Sequence, residues 1–442
     1  MGAGLRFPVM TSLPTSHPDT APLAPLVTRT VALSPADGTA LLSLLPATSP
    51  HDTTSWVRRG EGLVGWGRAA SVTAHGESRF ALLESWWQSV AASAVVRDEV
   101  DLPGTGPVAF GAISYAADSP SGATLVVPSV VIGRRGDQWW VTTTTTPDAL
   151  PPTVDPVVHD DVEAPGEVAF ADGSLSPAEW AGAVAEAVTR IQRGDLDKVV
   201  LARDLDVRTA APVDVRWLLS RLAESYESTW VFAVDGLVGA TPEMLVRREK
   251  GLVTSRVLAG TIRRTGDDDH DLALAASLAR SSKDLEEHEY AVRSVADALA
   301  PHCSSMNVPE APFVLHLSNV MHLATDVAGV LTDATSSLAL AASLHPSAAV
   351  CGTPTPVADA LISELEHMDR GRYAGPVGWM DTSGDGEWGI ALRSGAISAE
   401  DPQRMSLYAG CGIVAGSVPE AEVAESDAKL IPMRDALTAT RP

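Results

Sequence analysis

The sequence predicts a protein of the α/β (α+β) class, on three observations. Capped segments carry apolar residues at helical spacing, short β-branched runs bounded by glycine lie between them, and no fixed-period repeat runs through the chain. The last of these argues against solenoids and propellers. The clearest helix opens at Ser176-Pro177-Ala178-Glu179, which combines an N-cap serine, a proline at the first helical position and a capping-box glutamate. Trp180, Val184, Ala187, Val188 and Ile191 follow at helical spacing, and Gly194 supplies the stop. The period then changes, and Val199, Val200 and Leu201 read as a buried strand ending near Arg203. Lys198 enters that strand at its beginning, where an ammonium would lose water. It is either a rim lysine whose stem snorkels or a base weakened by desolvation.

Upstream of this helix the elements come in a different order. Residues 1–26, rich in Pro, Thr and Ser, read as a flexible N-terminal arm. Residues 27–173 read as a sheet-rich part: a strand from Val27, a helical turn near 40–45, and a glycine-punctuated hairpin in Trp56-Val57-Arg58-Arg59-Gly60-Glu61-Gly62-Leu63-Val64-Gly65-Trp66-Gly67. A helix is expected over 79–92, followed by strands at 108–114, 124–132 and 138–144. Residues 147–173, with several prolines and acidic side chains and no clear period, read as a linker. The remainder, 174–442, reads as one intertwined unit. The Trp139-Trp140 pair is core and sheet surface by composition, and Asp267-Asp268-Asp269 is a solvated helix start, since consecutive carboxylates cannot all face one ion.

Composition limits the function classes. Of 442 residues, 45% are hydrophobic and 20% charged, which suits a globular protein with a substantial core. With 32 basic against 56 acidic residues the formal charge is −24, so neither nucleic acid nor an anionic membrane is an expected partner. An anionic substrate would need local cations or a metal beside it. Cys303, Cys351 and Cys411 are far apart and form no CxxC pair, which fits a reducing cytoplasm. No apolar stretch approaches membrane-spanning length.

Three carboxylate placements could carry chemistry. Glu243, in Gly239-Ala240-Thr241-Pro242-Glu243-Met244-Leu245, follows a turn and precedes an apolar strand; burial there would raise its pKa and make it an acid, whereas an edge position would leave it in solvent. Asp284 and Glu287 share one helical face and could serve one hard cation, or could simply form an acidic first turn stabilised by the helix dipole. Glu422, Glu425 and Lys429 lie at i, i+3 and i+7 beside the buried stripe Val423, Leu430, Met433 and Leu437. Two such acidic faces in a chain that must handle an anion suggest a shared Mg2+, which takes oxygen ligands and keeps several waters.

In order along the chain, the runs Lys198–Arg203 (KVVLAR), 239–245 (GATPEML), Leu258-Ala259-Gly260-Thr261, 283–289 (KDLEEHE), His322-Leu323-Ala324-Thr325, 344–354 (LHPSAAVCGTP), 373–379 (YAGPVGW), Arg393, Ala409-Gly410-Cys411-Gly412-Ile413 and the ExxExxxK of 422–429 resemble the chorismate-utilising enzymes. The resemblance spans roughly 175–435, and the whole series is specific where each piece alone is weak. It implies an anthranilate synthase component I-like fold, two sheet-based halves packed together and surrounded by helices, with the site in a cleft. By that resemblance Lys198 is the general base that activates water against C2 of chorismate, and Glu243 protonates the departing C4 hydroxyl. Mg2+ would be held by Glu287 and Glu425, with Asp284 and Glu422 in the outer shell or bridged by water. Gly260, Thr261, Gly410 and Gly412 would donate backbone groups to the substrate carboxylates, with Arg393 and Lys429 as cations. His322 and Tyr373 match cleft positions, and both could equally be a satisfied core imidazole and a strand aromatic. Lysine at 198 favours water over ammonia, so no glutaminase subunit is expected. Ala349, where salicylate synthases carry threonine, favours stopping at isochorismate over eliminating pyruvate. The family's LHPTPA is LHPSAA here, with Ser347 retaining a hydroxyl and Ala348 replacing a proline. The WVRRGEGLVGWG stretch leans toward menaquinone rather than catecholate siderophore supply.

Overall fold

A computed structural model describes residues 24–154, 157–159, 162–317 and 320–440, with the side chains of Lys283 and Glu287 outside the described part. Most of the expected arm, 1–23, therefore lies outside the described residues, while Leu26, placed in that arm, is buried in the core. Its carbonyl accepts from Val95 N at 2.7 Å, so the ordered chain starts slightly earlier than the composition suggests.

Two large sheets dominate. The first runs from Val168–Asp172 through Lys198–Thr209, Arg404–Ile413, Ser394–Ile397, Leu237–Thr241 and Trp230–Val234. It continues without a break into Thr53–Arg58, Glu61–Trp66, Val130–Arg135, Gln138–Thr145, Val27–Ala32 and Val95–Asp98. The second runs from Cys303–Asn307 through Val320–Leu331, Leu252–Arg263, Met244–Glu249, Gly386–Ile390 and Pro376–Asp381 to Val108–Ala112, Ala123–Val127 and Ala70–Ala74. Both sheets thus draw strands from either side of residue 173. The chorismate-enzyme resemblance implied two packed sheets wrapped by helices, and that arrangement is present.

Alternation along the strands explains the layering. Trp56, Val131, Phe232 and Trp140 from the first sheet meet Phe110, Val377, Trp379 and Met244 from the second in one buried cluster, which packs the sheets face to face. Their neighbours point the other way. Val57, Val130 and Ile132 pack with Trp217, Leu218, Leu430 and Met433, burying the helices Val215–Ser225 and Pro419–Thr438 on the outer face of the first sheet. Leu83 and Trp87 of Arg79–Ser93, and Val292 and Val295 of Ser282–Leu299, belong to the cluster that covers the second sheet.

Local chemistry sets several elements. Ser176 and Glu179 form the reciprocal capping box, and Gly194 takes a φ of +83° at the stop. The hairpin turns at Arg59 and Gly60, both at positive φ, as a two-residue connection with right-handed strand twist requires. Two expectations change. The stretch 124–132 is two strands in different sheets, because Pro128 lacks the N–H to continue a ladder and the chain crosses over there. The expected linker contains a strand, Val168–Asp172, whose pairing with Leu205–Thr209 also extends the Lys198 strand well past Arg203.

Candidate active site

The chain passes from the first sheet to the second at Pro242-Glu243, between the strands ending at Thr241 and starting at Met244. It returns at 391–393, between Gly386–Ile390 and Ser394–Ile397. The two crossings are stitched together: Ile390 N donates to Glu243 O at 3.1 Å, and Ala240 N donates to Arg393 O at 3.2 Å. A cavity opens at this junction, and Glu243 and Arg393 both line it. Glu243 is buried, at 6% exposure, and Arg393 is half-buried, so the edge-in-solvent alternative for that glutamate does not apply.

The first sheet contributes one wall. On the strand Lys198–Thr209, Lys198, Val200 and Ala202 face the cavity while Val199 and Leu201 enter the core, as a two-residue period dictates. Lys198 is 5% exposed, so it is not a rim lysine. Gly410 and Gly412 line the cavity from the neighbouring strand, where they pair with Ala202 and Val200. A β-carbon at Gly410 would lie 2.9 Å from Leu201 O and 3.2 Å from Ala202 Cβ, which accounts for glycine there. Cys411, between them, is not itself in the cavity lining; its Sγ lies 3.4 Å from Glu422 O and 4.0 Å from Lys429 Nζ.

The second sheet contributes Gly260, Thr261 and His322. Gly260 sits at φ +75° in a register shift between Ala259 and Thr261, and the bulge turns Thr261 toward His322, whose Nδ1 lies 3.0 Å from Thr261 Oγ1. Burial, reinforced by Arg393 and Lys429, pushes His322 down to about 3, so the imidazole is neutral. Its Nε2 is buried without a hydrogen-bond partner among the described residues, and the residue lines the cavity. A β-carbon on Gly260 would press Asp284 Cβ at 3.1 Å, in a backbone region side chains avoid. Gly260→Ala should therefore lower stability by about 1–3 kcal/mol, measured by thermal or denaturant melting, and reduce activity as the bulge and Asp284 shift.

Helices close the site. Asp284, in the first turn of Ser282–Leu299, and Glu422, Glu425 and Lys429, on Pro419–Thr438, all line the cavity. Glu287 lies on the same helix as Asp284, but its side chain is outside the described residues. Lys429 Nζ holds Glu425 Oε1 at 2.7 Å and donates to Gly410 O at 2.8 Å. Burial opposes its charge, yet Cys411 and Glu425 outweigh that and raise its pKa. Cys411 Sγ and carboxylate oxygens of Glu422 and Glu425 lie within 4.8 Å of one another; the two carboxylates are the hard donors that would suit Mg2+, which does not take the thiol. Ala349 and Tyr373 complete the sequence-selected set at the cavity wall. Burial raises the Tyr373 phenol, so it is a neutral hydroxyl.

Arg370 also lines the cavity and was not among the residues selected from sequence, nor were Val200 and Ala202. The latter two were legible in the alternation that follows Lys198; nothing local marks Arg370, whose neighbourhood is assembled from four separate segments.

Burial decides the state of Glu243. It raises the carboxyl to about 7 against the opposing pull of a Leu258 backbone bond and the charges of Lys198, Arg393 and Lys429. A buried carboxylic acid, a lysine within its electrostatic reach, two further basic side chains and two carboxylates in one cavity are the groups that an acid–base site for a small anionic substrate would need. The family comparison agrees: the profile of the chorismate binding enzymes matches residues 20–438, and the chain belongs to that family. It is 40% identical to isochorismate synthase DhbC of Bacillus subtilis, over 59% of this chain and 68% of that protein. Among solved structures, MenF, the menaquinone-specific isochorismate synthase from Escherichia coli, superposes with a TM-score of 0.77 at 24% identity, covering 94% of this chain and 95% of that one. Anthranilate synthase component I from Streptococcus pneumoniae TIGR4 superposes with a TM-score of 0.68 at 20% identity, over 90% of this chain and 95% of that one, which places the fold in the anthranilate synthase component I class.

Proposed function

We propose that this chain is an isochorismate synthase, an isomerase that converts chorismate to isochorismate with Mg2+. The observation that carries the reading is the pairing of Lys198 with Glu243, two buried groups of opposite acid–base role on the walls of one cavity. Lys198 takes a proton from water as its oxygen bonds to C2. The ring double bonds shift, the C4–O bond breaks, and Glu243 gives its proton to the departing hydroxyl. One water enters and one leaves, so the reaction is a net isomerisation. Arg393, Lys429 and the backbone at Gly260, Thr261, Gly410 and Gly412 hold the two carboxylates. Mg2+, held by Glu425 and Glu287 with Glu422 and Asp284 close by, would neutralise the ring carboxylate in a protein of charge −24.

Incubation of purified protein with chorismate and Mg2+, with ammonium absent and then present, tests the reading by chromatography. Isochorismate in equilibrium with chorismate is expected, without pyruvate and without an aminated product. Salicylate with pyruvate would move the protein to the lyase branch and put the weight given to Ala349 in error. Glu425→Gln should raise the Mg2+ concentration for half-maximal rate about 10–100-fold in an EDTA-buffered titration; an unchanged requirement would show that another group holds the ion.

The setting is cytoplasmic in this reading, with its three cysteines free and no helix among the described residues long and apolar enough to cross a membrane. The product would supply menaquinone or a catecholate siderophore.

A further inference from the structure

The strand that carries Lys198 has an incomplete edge. On one side it pairs with Arg404–Ile413 from Val199 to Arg208. On the other, the two-residue strand Gly352–Thr353 covers only Lys198 and Val199, and Val168–Asp172 joins only from Leu205. Backbone groups between those partners lie in the interior, where an unpaired amide or carbonyl is costly. Val200 N finds Cys351 O at 2.8 Å. The next groups are satisfied by two side chains: Glu366 Oε1 accepts from Ala202 N at 2.6 Å, and Arg370 Nη2 donates to Val200 O at 2.7 Å.

Glu366 and Arg370 are also each other's partners. Arg370 Nε donates to Glu366 Oε2 at 2.9 Å and Nη2 donates to Oε1 at 2.5 Å, with both side chains 2% exposed. Arg370 Nη1 donates to Val350 O at 2.9 Å, its guanidinium lies 4.3 Å from the Tyr115 ring centroid, and its carbonyl accepts from Tyr373 N at 2.9 Å. One ion pair therefore fixes Val200 and Ala202 beyond Lys198 and Val350 beside Ala349, and Arg370 itself begins the turn that presents Tyr373. All of these residues line the cavity.

We infer that Glu366 and Arg370 are positioning residues that replace the missing strand beside Lys198 and set the spacing between the base and the Ala349 wall. The inference rests on the isochorismate synthase reading. The hydrogen bonds of the pair go to backbone and to each other, so its loss should misplace the base while leaving the carboxylate-binding groups intact. Arginine is required because one planar fork serves a carboxylate and two carbonyls at once, which an ammonium cannot do.

Glu366→Gln keeps the side-chain volume but leaves the guanidinium uncompensated; Arg370→Lys keeps the charge but loses the fork. For each, kcat should fall about 10²-fold, the scale of a 1 Å misplacement, with KM for chorismate changed less than roughly 3-fold. Asp385→Asn, which breaks the buried Arg248–Asp385 pair away from this cavity, is the control for destabilisation alone and should lower the melting temperature without that loss of kcat. Amide hydrogen exchange over 199–204 should accelerate in Glu366→Gln and stay unchanged in Asp385→Asn. A kcat within roughly 3-fold of wild type, or unaltered exchange in that segment, would overturn the inference. So would failure of both variants to fold beside a folded control, since the pair would then be a requirement of folding. Wild-type turnover is read in parallel: its absence would sink the isochorismate reading, while the exchange result still judges the pair.

Discussion

Lys198→Ala should fold and bind chorismate yet lose about 10²–10⁴-fold in kcat, the contribution of a well-placed general base. The expectation follows from what the side chain does and does not support. Lys198 starts its strand, and the strand is held there by backbone pairing to Thr353 and Gly352 and by the long ladder to Arg404–Ile413. Removing the side-chain amine leaves that ladder in place, so circular dichroism and the melting temperature should change little. In the proposed reading substrate binding rests on other cavity-lining groups, Arg393, Lys429 and the glycine-lined backbone, so the loss should fall on kcat rather than on KM. Retention of more than about a tenth of wild-type turnover would assign the base elsewhere, because general-base catalysis supplies at least 10²-fold.

The site was more legible in the sequence than the sheet order, for a physical reason. Lys198, Glu243, the Asp284 turn and the Glu422–Lys429 face each break a local rule: a charge inside or beside an apolar run, or acids aligned on one helix face. Such residues stand out because burial of charge needs a purpose. Helix boundaries were also local, and Ser176 to Gly194 was readable down to its caps. Strand partners were not. Nothing near Trp230–Val234 says that it pairs with Thr53–Arg58, and nothing in the residues 168–172 says that they join the edge of the Lys198 strand. Those pairings are set by which faces can be buried together, a property of the assembled sheets. Arg370 escaped notice for the same reason: its partners are Val200, Val350, Glu366 and the Tyr115 ring, most of them distant in sequence.

Glu243→Gln should cost a comparable 10²–10⁴-fold in kcat, and its wild-type parent should show why in its pH dependence. The role assigned to this residue requires the protonated form. Burial raises its carboxyl to about 7 in the free protein, well above the usual glutamate value, so the competent acid is present below that pH and is lost as pH rises through it. The kcat/KM profile, which reports the free enzyme, should therefore fall on the alkaline side of about pH 7. Replacement by glutamine removes the proton donor but keeps the shape, so the variant's residual rate should lack that alkaline limb. The cations around Glu243 decide how firmly it is held there. Lys198, Arg393 and Lys429 all pull its pKa down, against burial. Arg393→Met, which removes one of the three, should move the limb upward in pH while also weakening substrate binding. An alkaline limb that persists in Glu243→Gln would mean that another group titrates and that the departing hydroxyl takes its proton from elsewhere. A limb that disappears would tie the proton to the point where the chain crosses between its two sheets.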